Sequence, residues 1–208
     1  MTAEAQEQIT ALADDNALLR RRLERERRTR RQAEEIAEQG LLDLYQKRRA
    51  LEFLSEISIM ANEAVSARDA LAPVLEYMCQ FTGWPAAHAY VAVGEGSRRV
   101  MQPSNIWYVD PALDLSELRT ETEKLAFTMG TGLPGQIWES GAPVWVEDLT
   151  TCDYLPRRDA ARRSGMRAAF STPLMVGSDV AGSIEFFGPD PMPEDAALLG
   201  LIAKAGTQ

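Results

Sequence analysis

Ile9, Leu12, Asn16, Leu19 and Leu23 follow one another at spacings of 3, 4, 3 and 4. That alternation places them on one stripe of a helix, the a/d seam of a coiled coil. Asn16 falls at an a position, where a buried amide favours a parallel two-stranded register. The same frame passes through Glu26, Arg30, Ala33, Ala37 and Gly40, which make a poor core, and recovers at Leu44, Leu51 and Leu54. No proline precedes Pro73, so one helix is expected to run from about Glu4 into the following domain.

Beyond residue 50 the pattern changes. A helix continues from Leu51 to Val65, with Leu54, Ile57, Ala61, Ala64 and Val65 on one side. Ser66 is placed to cap a second helix, Ala67 to Phe81, whose stripe is Leu71, Val74, Leu75 and Met78, with Thr82-Gly83 as its stop. Ala86 to Val93 and Arg99 to Tyr108 read as strands around the turn Gly94–Ser97. Leu115 to Phe127 reads as a charged helix with Asp114 as its cap. Pro143 to Val146 is a short strand. Arg167 to Val176 and Asp179 to Phe187 are strands joined by Gly177-Ser178, which suits a type II′ hairpin. Pro193 and Glu194 open a last helix carrying Ala197, Leu198, Leu201 and Ile202, expected to reach Gln208 without a stop. Hairpins between helices, without regular βαβ alternation, indicate an α+β fold with a mainly antiparallel sheet. The expected division is a helix over residues 1–50 and a globular domain over 51–208.

Charge sharpens this division. Residues 1–50 hold 11 basic and 10 acidic side chains, whereas residues 51–208 hold 11 and 21. An acidic domain does not attract nucleic acid phosphates. The arginines between Arg20 and Arg31 alternate with Glu24 and Glu26, as on a solvated coiled-coil face. No apolar run is long enough for a bilayer span and no signal sequence opens the chain, so a cytoplasmic protein is expected, without nucleic acid partner or membrane insertion.

The stretch GTGLPGQIWESGAPVWVEDL, from Gly130 to Leu149, raises the question of nucleotide chemistry, because Gly130, Gly132 and Gly135 satisfy G-x-G-x-x-G. A dinucleotide fold requires a buried strand before the first glycine and a long helix after the third. The preceding residues are charged and helical in pattern, and Gly141 and Pro143 close the following helix early. The glycines are therefore read as backbone devices in a loop–helix–strand unit that closes over a sheet.

FTMGTGLPGQIWESGAPVWVEDL, followed by RRSGMRAAFSTPL and VAGSIEFFGPDPMPEDAALLGLIA, resembles the GAF family of small-molecule sensor domains, above all those of bacterial sensor histidine kinases and related signalling proteins. The resemblance covers about residues 51–208, and the leading helix is similar to the linker that precedes such modules. It implies about six antiparallel strands, terminal helices on one face, a ligand pocket under a lid on the other, and an output kinase or cyclase domain outside this chain. The cyclic-nucleotide motif of the family is missing: Asn105 is followed by Ile106, and Phe127 is followed after three residues by Thr131. Bilin attachment lacks its cysteine–histidine pair, since Cys152 precedes Asp153 and Cys79 precedes Gln80. The one histidine, His88, shares a strand face with Tyr90 and Ala92 and reads as structural rather than as a haem or metal ligand. Neither cysteine follows the spacing of the family's methionine sulfoxide reductases. No catalytic constellation, cofactor or metal is expected.

The remaining candidates are aromatic. Tyr90, Trp107, Trp138, Trp145, Phe170 and Phe186 lie on elements that would surround a pocket, or else fill the core. Arg167, at a strand start, would meet an anion or pair at the surface. The expected function is a non-catalytic sensor module that homodimerises through Ile9, Leu12, Asn16, Leu19, Leu23, Leu44, Leu51 and Leu54 and relays a small-molecule ligand's presence through helix packing. The alternatives are a purely structural dimerisation module and a GAF-type redox enzyme.

Overall fold

The computed structural model describes residues 3–153 and 155–207; for residues 3–11, 13–15, 67 and 97 only the backbone is described. The chain divides into two compact units, residues 1–50 and 51–208.

Helix α1 runs over Ala3–Glu63. In its first unit Leu12, Leu19, Leu23 and Leu44 are 63%, 61%, 46% and 64% exposed, apolar side chains open to water. Asn16 donates its amide N–H to the Leu12 carbonyl one turn back, at 2.9 Å. The side chain of Ile9 lies outside the described residues.

In the second unit the end of α1 turns Phe53 and Ile57 into the core, with Leu54 half-buried against it, while Leu51 stays exposed. Phe53 is absent from the expected stripe; it packs on Phe81 at 4.1 Å between ring centroids. The helix stops at Glu63, so Val65 falls in the connecting turn and is exposed. Ser66 caps α2 (Ala67–Thr82) by accepting from the Asp69 N–H, and Gly83 ends it at φ 78°.

Strands β1 (Ala86–Val93) and β2 (Val100–Val109) form the first hairpin. Its register slips opposite Ala89, where Asn105 takes φ 61°, and resumes with Trp107 facing His88. α3 (Ser116–Glu123) is shorter than its charge pattern suggests: Phe127 leaves it to bridge Met101 of β2 by two backbone bonds of 2.9 Å. Next come α4 (Gly132–Ser140), β3 (Val144–Val146) and α5 (Arg158–Arg163). β4 (Ala168–Val176) and β5 (Asp179–Gly188) meet through Gly177 at φ 63°, and Ser178 is not left-handed, as a type II′ turn requires. α6 (Ala196–Ala205) is capped by Asp195 and stops short of the expected end. Gly206 turns it onto β4, where Met175 N–H donates to the Gly206 carbonyl at 2.7 Å.

Among the described residues the sheet has five strands where about six are expected, all antiparallel, in the order β2-β1-β5-β4-β3. Alternation along its strands splits two cores. Ala87, Ala89, Ala168, Phe170, Ile184 and Phe186 face α2, α6 and the end of α1. Ala86, Tyr90, Ala169 and Phe187 face the opposite side, under α3, α4 and α5.

Candidate functional site

The lid side of the sheet carries a charge in an unusual place. β5 reads Ser183-Ile184-Glu185-Phe186-Phe187, and a period of two puts Glu185 on the same face as Ser183 and Phe187. Glu185 is fully buried. Register sets His88 opposite it on β1 and Ser171 opposite it on β4. Arg157, just before α5, supplies the counter-charge: Nη2 donates to Glu185 Oε1 at 2.6 Å, and Nη1 donates to Thr122 Oγ1 at 3.0 Å. The guanidinium also lies over the rings of Tyr90 and Phe127, 5.4 Å from each centroid. Tyr90 donates its hydroxyl to the Thr122 carbonyl at 3.4 Å.

Burial by itself would raise the Glu185 pKa, but Arg157 beside it holds it below the usual carboxylate range. Burial lowers the His88 pKa; neighbouring Glu185 opposes this and Arg157 reinforces it, so the site disfavours the charged imidazole. His88 Nδ1 stands 3.9 Å from Glu185 Oε2, too far for a hydrogen bond. Both ring nitrogens, Glu185 Oε2, Trp107 Nε1 and Ser183 Oγ are buried with no partner among the described residues. His88 lies against the Trp107 ring, 4.3 Å between centroids.

Beside Arg157 is a crevice bordered by Phe127, Leu133, Leu155, Phe187 and Arg158. Its free volume of ≈ 20 Å³ admits about one water molecule. The glycine loop shapes its roof. Gly132 has φ 60°, and a Cβ there would meet the Phe127 ring at 2.5 Å. A Cβ on Gly135 would meet the Thr128 carbonyl oxygen. Gly132 and Gly135 thus let the start of α4 lie directly on the preceding loop, as a backbone device does.

The expected aromatic residues do not form one wall. Tyr90, Trp107 and Trp138 belong to the lid side. Trp145 and Phe170 pack on the opposite, helix side, stacked at 5.2 Å, with Phe186 stacked on Phe170 at 4.3 Å. Trp145 Nε1 donates to the Met192 carbonyl at 2.8 Å. One residue on a short strand decides this, because Val144 and Val146 take the lid side and leave Trp145 the other. Arg167 is half-exposed and paired with Asp148. Cys79 packs in the helix-side core, its pKa pushed up to about 12 by burial, and Cys152 packs on the lid side. The sheet separates the two thiols. Among the described residues no group of three His, Cys, Asp or Glu could hold a metal ion.

A family model described as GAF domain matches residues 64–208. The chain belongs to the GAF family. The GAF domain of A. aeolicus nlh2, crystallised in an inactive state, is 18% identical, with a TM-score of 0.57 over 77% of this chain and 93% of that one. The GAF domain of a Coxiella burnetii phosphoenolpyruvate-protein phosphotransferase is 14% identical, with a TM-score of 0.60 over 76% and 89%. The free methionine-R-sulfoxide reductase of Neisseria meningitidis, in complex with its substrate, is 17% identical, with a TM-score of 0.57 over 76% and 83%. At these identities the likeness is one of fold. No protein of curated function matches the chain. The three residues that hold this GAF domain's buried charge, Thr122, Arg157 and Glu185, were not singled out by sequence reasoning. Glu185 had a signal: it is a lone carboxylate inside an apolar strand, at a core-facing parity. Arg157 had none, because it stands in a loop beside other arginines.

Proposed function

We propose that the chain is a non-catalytic regulatory sensor module of a bacterial signalling protein of the histidine-kinase type. It pairs in parallel through the first part of α1 and passes a ligand's presence along helices to a kinase or cyclase outside this chain. The observation that carries this reading is the row of leucines, Leu12, Leu19, Leu23 and Leu44, left 46–64% exposed on a helix that continues to Glu63. Apolar side chains kept at heptad spacing and in water gain most from a second copy of the same helix. The stretch from Glu26 to Gly40 lacks such anchors, so two packings of the pair differ little in energy there, and a ligand that prefers one can bias both.

The ligand side of this reading is the face under α4, where buried polar atoms have no hydrogen-bond partner among the described residues. Among the described residues no helix is long and apolar enough to cross a membrane, in keeping with a cytoplasmic module. The placement of Cys79 and Cys152 on opposite sides of the sheet weighs against a two-thiol reductase cycle. The small crevice favours the second reading, a dimerisation module with no ligand. Light scattering tests the pairing: the full chain at micromolar concentration is a dimer, and residues 51–208 alone have a weaker tendency to associate. A monomeric full chain ends the proposal. A thermal-shift screen with small metabolites separates a sensor from a ligand-free module.

A further inference from the structure

The lining of the lid-side crevice is apolar except for two arginines, Arg157 and Arg158, and contains no carboxylate. Arg158 is paired outward with Asp153. Arg157 is 8% exposed and commits two of its five N–H donors to Thr122 and Glu185. An apolar wall with one buried guanidinium suits a ligand with an apolar body and a single anionic oxygen pair.

Charge balance then constrains how such a ligand binds. Arg157 and Glu185 cancel, and burial disfavours a charge on His88. A carboxylate added to Arg157 would leave one net negative charge in a place sealed from water, which is costly. The means of removing that charge is already present. Behind Arg157, His88 Nδ1 faces Glu185 Oε2 at 3.9 Å, and neither atom has a hydrogen-bond partner among the described residues. A proton from solvent on His88 restores neutrality and gives Glu185 a second cation as Arg157 turns part of its charge to the ligand. The groups acting on that proton are Glu185 from β5, Arg157 from the segment before α5 and Glu123 from α3; the Tyr90 ring on the same strand meets His88 edge-on, and Arg119 of α3 lies over Trp107, the ring tilted against His88. The two carboxylates favour the proton, and Arg157 opposes it until a ligand takes up part of its charge.

We propose that the crevice beneath α4 and α5 binds a small organic carboxylate of apolar body on Arg157, and that each carboxylate bound brings one proton from solvent onto His88. Because the crevice admits about one water, α4 yields when the ligand enters. The proposal rests on the reading of this face as the ligand side and adds the ligand's class and its coupling to pH.

The test uses the full chain, sodium benzoate as probe and benzamide as its neutral isostere, followed by the NMR signals of the Arg157 Nε–H and Trp107 Nε1–H groups. Benzoate is expected to move both signals and benzamide neither. Benzoate affinity is expected to rise as pH falls through neutrality toward the lowered value of His88, approaching about tenfold per unit of acidification, the slope of one proton taken up. In His88→Gln, benzoate still binds and the slope disappears. Equal binding of benzoate and benzamide overturns the proposal, as does a flat pH profile in the natural chain, or signals that stay unmoved at about 10 mM benzoate, where the affinity would fall below any useful range. The comparison of the two probes needs no substitution, so it decides the question even where a variant fails to fold. A thermal shift with other metabolites but none with benzoate ends this proposal and leaves the sensor reading intact.

Discussion

Arg157 Nη2 lies 2.6 Å from Glu185 Oε1, and the pair is sealed between the sheet and α5, with side-chain exposures of 8% and 0%. Neither member can be removed alone without leaving the other charge buried. Glu185→Leu and Arg157→Met are each expected to cost about 3–5 kcal/mol of unfolding free energy. The double variant Arg157→Met/Glu185→Leu is expected to cost less than either single change, because no uncompensated charge remains. Urea unfolding of the four proteins measures the coupling directly.

His88 supplies a pH dependence of stability. Burial holds its folded-state pKa below the ordinary 6.5. The unfolded chain therefore takes up a proton near that pH while the folded chain does not, and the folded state loses stability as pH falls from about 6.5 toward the lowered folded value. His88→Gln has no such group. The urea midpoint of the natural chain is expected to drop relative to that of the variant between about pH 7 and 5, and a constant difference across this window would remove His88 as the cause.

Gly135 is a packing glycine. A methyl group there would run into the carbonyl oxygen of Thr128, and backbone cannot step aside as a flexible side chain can. Gly135→Ala is expected to cost about 1–3 kcal/mol and to loosen the start of α4, seen as faster hydrogen exchange of the amides that close it. Gly40, with open space around its Cβ position, is the control: Gly40→Ala is expected to be neutral or slightly stabilising.

The exposed leucines give a prediction about assembly. Replacing Leu12, Leu19 and Leu23 with serine removes three apolar anchors of the proposed pairing stripe and changes no side chain of the core of residues 51–208. The triple variant is expected to be monomeric by light scattering with the far-ultraviolet signal of its sheet and core helices retained. A variant that stays dimeric would place the contact elsewhere.

Much of the fold is legible along the chain, and the misses share a cause. Ser66, Gly83 and Gly177 are readable because capping and turn formation are local: a side-chain oxygen two or three residues from an open N–H, or a backbone angle that only glycine adopts cheaply. α3 reads too long because its charged residues carry helical preference as far as Phe127, whereas the pull of the β2 edge on that residue comes from strand β2, 26 positions earlier at Met101. Trp145 and Phe170 group with Tyr90 in the sequence because all are aromatic. The faces they occupy follow from strand register, which their own segments do not encode strongly.

Chain order alone dictated the long helix α1, the boundaries of most elements and the antiparallel character of the sheet, because periodicity, caps and turns act over a few residues. Which polar groups share a site was decided by tertiary structure. Thr122, Arg157 and Glu185 stand on a helix end, a loop and a central strand, and only the closing of α3 and α5 over the sheet excludes water from them together. Exclusion of water is what converts three ordinary side chains into a buried pair with a titratable neighbour, since a charge is weak in water and strong where no solvent screens it.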